Sequence, residues 1–70
     1  MGKVKIVNNS LQLLNLLVKE SGTNKTVQLL SKQDVIIDTS AITDQINRLR
    51  DLSIISVLPY TEIVIVWGNN

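Results

Sequence analysis

The chain has 70 residues, of which 27 are Leu, Ile or Val, so it is long enough for one small domain with an aliphatic core. It contains no Cys and no His, which excludes disulfide frameworks, thiolate metal sites and histidine general bases. Seven Lys and Arg residues against six Asp and Glu residues give a net charge of +1, which together with the aliphatic content argues against disorder.

The first half of the chain is typical of short strands separated by polar turns. Residues 3–7 alternate between polar and apolar side chains and predict a strand, which a turn at residues 8–10 (Asn-Asn-Ser) follows. Residues 11–18 fit either a strand or a leucine-rich helix, and periodicity alone leaves both readings open. A polar loop (residues 20–25) comes next, followed by a strand (26–30), a polar turn (31–34) and a β-branched strand (35–37).

A helix is predicted at about residues 40–51. Asp38, Thr39 and Ser40 favour the N-cap position and stand directly before Ala41. An apolar face recurs at helical spacing, at Ile42, Ile46 and Leu49. Polar side chains are expected to face away from it, namely Asp44, Gln45, Asn47, Arg48 and Arg50. The acidic residue near the start and the basic residues near the end complement the helix dipole.

The last part of the chain predicts two strands. The first covers residues 54–58, and Pro59 is expected to end it because proline has no amide hydrogen for the ladder. The second covers residues 62–67, where every residue after Glu62 is apolar, so that both faces would be packed. It carries none of the Lys or Pro residues that protect an edge strand, so it is either an interior strand or one that binds a partner.

The candidate partner-binding residues lie in this region of the sequence. They are Tyr60, Ile63, Ile65 and Trp67, and the last three share one face of the predicted strand. Aromatic side chains dominate interface hot spots, which favours Trp67 and Tyr60 as anchors. Capping of the protein's own core is the alternative role for each of them.

Taken together, the elements predict a single small domain over residues 1–70. Its class is mainly β to α+β, with a small antiparallel sheet or sandwich of about five to six short strands and one helix at about residues 40–51. A chain of this size buries only about 60% of its unfolded surface, which favours association with copies of itself or with a larger surface.

The residue types give no support to catalysis. The six carboxylates occur singly, and the closest two, Asp34 and Asp38, flank a strand as turn and cap residues. Three glycines form no phosphate-binding loop, and no serine has a histidine to activate it. The longest uncharged run, residues 6–18, holds five polar residues and is too short to span a bilayer. We therefore expect no enzyme, no cofactor, no metal site, no small-molecule substrate and no membrane contact.

Nucleic-acid binding is also disfavoured by the charge pattern. The seven basic residues are interspersed with acidic ones, whereas a dedicated binder clusters them on one face. Two alternatives to a structural role nevertheless stay open at this point: a small dimeric nucleic-acid-binding regulator, and a free-standing adaptor domain for protein interactions.

The order of elements resembles that of small tailed-bacteriophage virion proteins, namely head-decoration or auxiliary capsid proteins and the capsid-anchoring domains of head fibres. The residues that carry the resemblance are VNNS at 7–10, SKQDVII at 31–37, and the capped helix TSAITDQINRLRDL at 39–52, which leads into SIISVL at 53–58. The resemblance covers roughly residues 3–58, and the additional strand at 62–67 departs from it.

This resemblance favours a strand at residues 11–18 and implies a structural role without catalysis. The implied partners are the major capsid protein or other virion proteins, or copies of this chain. The implied location is the capsid exterior of the virion, after synthesis in the host cytoplasm.

Overall fold

Five strands and one α-helix make up the fold in a computed structural model that describes residues 2–60. These residues are mainly β, with 53% of them in strands and 19% in helical structure, which confirms the predicted class. The elements in chain order are β1 (Lys3–Asn8), β2 (Leu14–Glu20), β3 (Thr23–Leu29), β4 (Asp34–Asp38), a 3-10 turn (Thr39–Ala41), α1 (Asp44–Asp51) and β5 (Ile55–Tyr60).

The strands form two antiparallel sheets. One sheet has the order β4-β1-β5, and the other is the β2-β3 hairpin. In the first sheet Ile6 of β1 lies opposite Val35 of β4 and Val57 of β5, so these three side chains share one face. The two inner faces pack together, and the core consists of Ile6, Leu16, Val18, Leu29, Ile46 and Ile55.

The helix closes one of the two sides on which the sheets meet. It packs against β2 and β5, and Ile46 of its apolar face is completely buried. Ile42 and Leu49 are partly buried against the core, as their spacing predicts. On the other side β3 and β4 belong to different sheets and do not pair with each other, which leaves a groove between them.

Residues 11–18, which the sequence left open, are strand from Leu14 onward, so the helical alternative is wrong. The predicted loop over residues 20–25 is shorter than expected. Ser21 and Gly22 alone make the turn, with φ values of 51° and 81°. Two central residues with positive φ match the twist of a hairpin, so β2 reaches Glu20 and β3 begins at Thr23.

The α-helix begins later than predicted, at Asp44 with Thr43 as its N-cap, and Ser40 lies in the 3-10 turn. The strand register explains the delay. Thr39 still donates its backbone N–H to the Gly2 carbonyl (3.0 Å), which extends the β1–β4 ladder past Asp38. The chain therefore becomes α-helical only after an extended residue at Ile42.

Pro59 lies inside β5, so the prediction that the strand ends there is wrong. Asn9 donates its backbone N–H to the Ile54 carbonyl (3.0 Å), and successive residues of an antiparallel strand direct their backbone groups alternately to the two sides. In this register the nitrogen of Pro59 points away from β1, where no ladder bond is required. The strand continues to Tyr60, which is paired with Lys3.

The predicted strand at residues 62–67, with the candidate residues Ile63, Ile65 and Trp67, lies outside the described residues. No helix within residues 2–60 is long and apolar enough to span a membrane.

Candidate functional site

One end of the molecule is organised by a buried asparagine at the end of β1. Asn8 is 0% exposed, and its side chain makes four hydrogen bonds. The Nδ2 group donates to the carbonyls of Gln12 (2.7 Å) and Leu29 (3.0 Å). The Oδ1 atom accepts from the backbone N–H (2.8 Å) and the hydroxyl (2.7 Å) of Ser10. Asn8 therefore fixes the loop after β1 to the end of β3.

Further hydrogen bonds join the neighbouring loops to this centre. The Ser31 hydroxyl donates to the Ser10 carbonyl (2.7 Å), and the Lys32 ammonium donates to the Asn9 carbonyl (3.0 Å). Asn9 is bonded in turn to the chain entering β5, through Ile54 and through the Ser56 hydroxyl (2.7 Å). Three loops, over residues 9–13, 30–33 and 52–54, thus form one connected end of the fold.

This connected end carries exposed leucines. They are Leu11 (85% exposed), Leu52 (62%), Leu30 (50%) and Leu13 (44%), and we call this set the leucine end. A single exposed leucine is ordinary, but four on adjoining loops expose apolar area at one end of the fold, a feature that favours a protein contact there. The hydrogen bonds around Asn8 hold these loops in place, so a partner would not have to order them on binding.

A second surface is the groove between β3 and β4, with a volume of about 500 Å3. Its apolar lining comes from both sheets and from the 3-10 turn, at Val18, Val27, Val35, Ile37 and Ala41. Charged side chains surround this lining, at Lys3, Lys19, Glu20, Lys25 and Asp38. Lys25 and Glu20 form an exposed ion pair (3.8 Å). The groove is therefore apolar at its floor and mixed in charge at its rim.

The edge of β2 is covered by side chains from the start of the helix. Gln45 accepts from the Leu17 N–H (2.8 Å) through Oε1 and donates to the Asn15 carbonyl (2.9 Å) through Nε2. The Thr43 hydroxyl donates to the Leu17 carbonyl (2.6 Å). The prediction that Gln45 simply faces away from the protein is therefore wrong, because its amide replaces a missing strand partner.

Of the predicted partner-binding residues, Tyr60 alone lies in the part of the chain that the structure describes. Tyr60 is half-buried at the far end of β5 from Leu52, beside Lys3. Asp34 and Asp38 stand at opposite ends of β4, and Asp34 pairs with Lys5 (3.6 Å). Within residues 2–60 no group of three or more His, Cys, Asp or Glu side chains could hold a metal ion.

Two important residues were missed in the sequence. Asn8 was assigned to a turn, although it continues the alternation of Val4 and Ile6 and therefore falls on the inner face of β1. That period-two position was the available signal. The partnership of Gln45 with β2 had no comparable signal, because it depends on how the helix is placed in three dimensions.

Comparison with known proteins returned no match: no protein-family model, no curated protein and no solved structure is similar to this chain.

Proposed function

We propose that the protein is a structural component of a tailed-phage virion, a head-decoration or auxiliary capsid protein that acts through non-covalent contacts. The observation that carries the proposal is the leucine end, with four exposed leucines on loops that hydrogen bonds hold together. The order of elements, which resembles that of such virion proteins, supports the same role. The implied partner is the major capsid protein or another virion protein.

The leucine end suits attachment to a large protein surface. Exposed Leu11 and Leu52 would be removed from water on docking, and each buried leucine side chain contributes about 1.5–3 kcal/mol. Many identical copies on a repeating lattice could each use this modest contact. No titrating group or catalytic cluster is needed for such a role.

The first experiment is quantitative mass spectrometry of purified phage particles from the host that carries the coding sequence. We expect the protein at a fixed, high copy number that survives gradient purification. Its absence from particles, with the protein remaining free in the lysate, would contradict the proposal. Salt-sensitive binding to duplex DNA in that case would point to the regulator alternative.

The second experiment locates the contact. Full-length Leu11→Asp/Leu52→Asp protein and wild type are added to particles that lack the protein, and occupancy is measured. We expect loss of binding for the double variant. Leu58→Asp is the matched control, because Leu58 is 47% exposed but lies in the middle of β5. Equal occupancy of the double variant and the control would place the contact elsewhere.

A further inference from the structure

Within residues 2–60, the backbone edges of the two sheets are covered by other groups on one side of the molecule and uncovered on the other. Thr43 and Gln45 occupy the outward backbone groups of Leu17 in β2. Pro59 removes a donor from the outward edge of β5. These two protected edges are the ones that flank the helix, since α1 packs against β2 and β5.

The other two edges, those of β3 and β4, both border the groove. In the β2-β3 hairpin, residues that point their backbone N–H and C=O groups at the other strand alternate with residues that point them away from it. Leu17 points its groups away from β3, so its cross-strand partner Thr26 points its own groups away from β2. On β4 the Thr39–Gly2 bond places the outward groups at Ile36 by the same alternation. Among residues 2–60, Thr26 and Ile36 have no hydrogen-bond partner for these groups. An extended segment in the groove could therefore pair with a strand on each side.

The chain itself contains a segment with the sequence that such a position requires. Residues 62–67 read EIVIVW, with Ile63, Ile65 and Trp67 on one face and Val64 and Val66 on the other. A strand placed between two sheet edges has to be apolar toward the floor of the groove. The floor residues Val27, Val35 and Ile37 are aliphatic and match this requirement.

The reach of the chain decides which copy supplies the segment. From β5, the position beyond β4 lies three strand spacings away, about 14 Å at the usual spacing. Crossing that distance takes at least about four extended residues, because each spans no more than about 3.6 Å. Residues 61–64 would be consumed, so the first half of the segment 62–67, including Ile63, could not enter its own groove. A second molecule is under no such restriction.

We infer that the groove between β3 and β4 receives residues 62–67 of a second copy of this chain, so that the protein assembles with itself by strand addition. Main-chain hydrogen bonds to Thr26 and Ile36 would hold the segment, and Ile63, Ile65 and Trp67 would fill the floor. Reciprocal exchange gives a closed dimer, and head-to-tail exchange gives a ring or a chain. This interface is separate from the leucine end and does not depend on binding to a capsid.

Disulfide trapping tests the inference, because the chain has no cysteine of its own. Purified full-length Ile36→Cys protein is mixed with full-length Val64→Cys or Val66→Cys protein carrying a different tag. Paired residues on adjacent strands share a face, so one of these mixtures should place the two sulfurs within bonding distance. We expect about tenfold more heterodimer than random collision gives, because bound segments react at a high effective concentration.

The matched control is Asn15→Cys, an exposed residue on the covered edge of β2. It should give only the collision yield with either tail variant. Equal yields from Ile36→Cys and Asn15→Cys would overturn the inference. So would a full-length Ile36→Cys/Val64→Cys or Ile36→Cys/Val66→Cys chain that, at a concentration where the wild type is oligomeric, forms the disulfide within itself in preference to between chains.

Light scattering of full-length variants gives an independent measurement. Ile36→Pro removes an outward donor from β4 and should keep its ladder with β1, as Pro59 does in β5. Both Ile36→Pro and Ile65→Asp should convert the oligomer to a monomer, and circular dichroism should report an intact fold. A wild type that is monomeric at every concentration would overturn the inference. The purified protein is measured without phage particles, so a monomeric wild type would overturn self-association only. The capsid-binding proposal is tested separately by particle occupancy.

Discussion

At the scale of single residues, Asn8 shows how one buried polar side chain can hold several loops together through its hydrogen bonds. Its amide supplies two donors and two accepting lone pairs, and all four are used by backbone and side-chain groups of the surrounding loops. The residue is completely buried and its bond to the Leu29 carbonyl is buried as well, so changing the side chain leaves that carbonyl without a partner.

Replacing Asn8 with alanine should therefore be costly. Asn8→Ala leaves the Leu29 carbonyl without its buried partner, and we expect the free energy of unfolding to fall by about 2–3 kcal/mol. Urea denaturation measures this change. Asn9→Ala is the control, since Asn9 is exposed and bonds the Ser56 hydroxyl, and it should cost less than about 1 kcal/mol. Similar losses for the two variants would contradict the role assigned to Asn8.

Ser53 adopts a left-handed conformation, φ 62°, at the end of the helix. Its N–H donates to the Arg50 carbonyl (2.9 Å), and the next N–H, that of Ile54, donates to Leu49 (3.0 Å). This pattern is the Schellman motif, in which glycine is the preferred residue at the left-handed position.

Ser53→Gly should consequently stabilise the protein, by about 0.5–1 kcal/mol, because glycine reaches this conformation without a Cβ penalty. Thermal unfolding followed by circular dichroism measures the effect. Ser40→Gly, at an exposed serine whose φ is not positive, should not raise the melting temperature. A Ser53→Gly protein no more stable than wild type would show that the serine hydroxyl compensates for the strain.

At the scale of elements, side chains at the start of the helix take the place of a neighbouring strand along the outer edge of β2. Thr43 and Gln45 satisfy three outward backbone groups that a neighbouring strand would otherwise bond. This arrangement protects an edge without adding a strand, and it ties the start of the helix to the hairpin.

Removing the Gln45 amide should weaken the protein and expose the β2 edge. Gln45→Ala loses the bonds to Leu17 and Asn15, and we expect a loss of about 1–2 kcal/mol in unfolding free energy. Arg48→Ala, an exposed change on the same helix, is expected to cost less than about 0.5 kcal/mol. Hydrogen exchange at the Leu17 amide should also accelerate in Gln45→Ala alone. Unchanged exchange there would contradict the edge-covering role.

Local patterns in the sequence were sufficient to place a strand at each end of the described chain and to identify the apolar face of the helix. They failed where a distant partner decides the local structure. The helix begins late because Thr39 is bonded to Gly2, and Pro59 stays within β5 because its nitrogen faces away from β1. Periodicity could not separate strand from helix at residues 11–18, since the pairing with β3 decides it.

The same limit applies to the candidate site. Leu11, Leu30 and Leu52 are far apart in sequence, and only the hydrogen bonds around Asn8 reveal that their loops adjoin. Hydrophobic content alone would place such leucines in the core, so their exposure had to be seen in the fold. Tyr60 was selected for its chemistry, but the structure places it away from this surface.

At the scale of the whole molecule, we expect that the leucine end is not required for folding and that its exposed side chains lower the solubility of the protein. Leu11→Asp/Leu52→Asp should change unfolding free energy by less than about 1 kcal/mol, because both side chains are already mostly exposed. The solubility limit of the purified protein should rise, and binding of an apolar dye should fall. A large loss of stability would mean that these leucines belong to the core rather than to a docking surface.

The position of β1 at the centre of its sheet has a consequence for the order of events during folding. β2 and β3 are neighbours in sequence and can pair at once, but β1 is joined to β4 and to β5 across about half of the chain or more. Loop closure of that length has to precede any gain from contacts, which slows folding. β1 precedes both of its partners in the chain by a long stretch, so it is among the last of the described strands to be paired, and the hairpin forms before it. Refolding experiments should find the hairpin amides protected before those of β1.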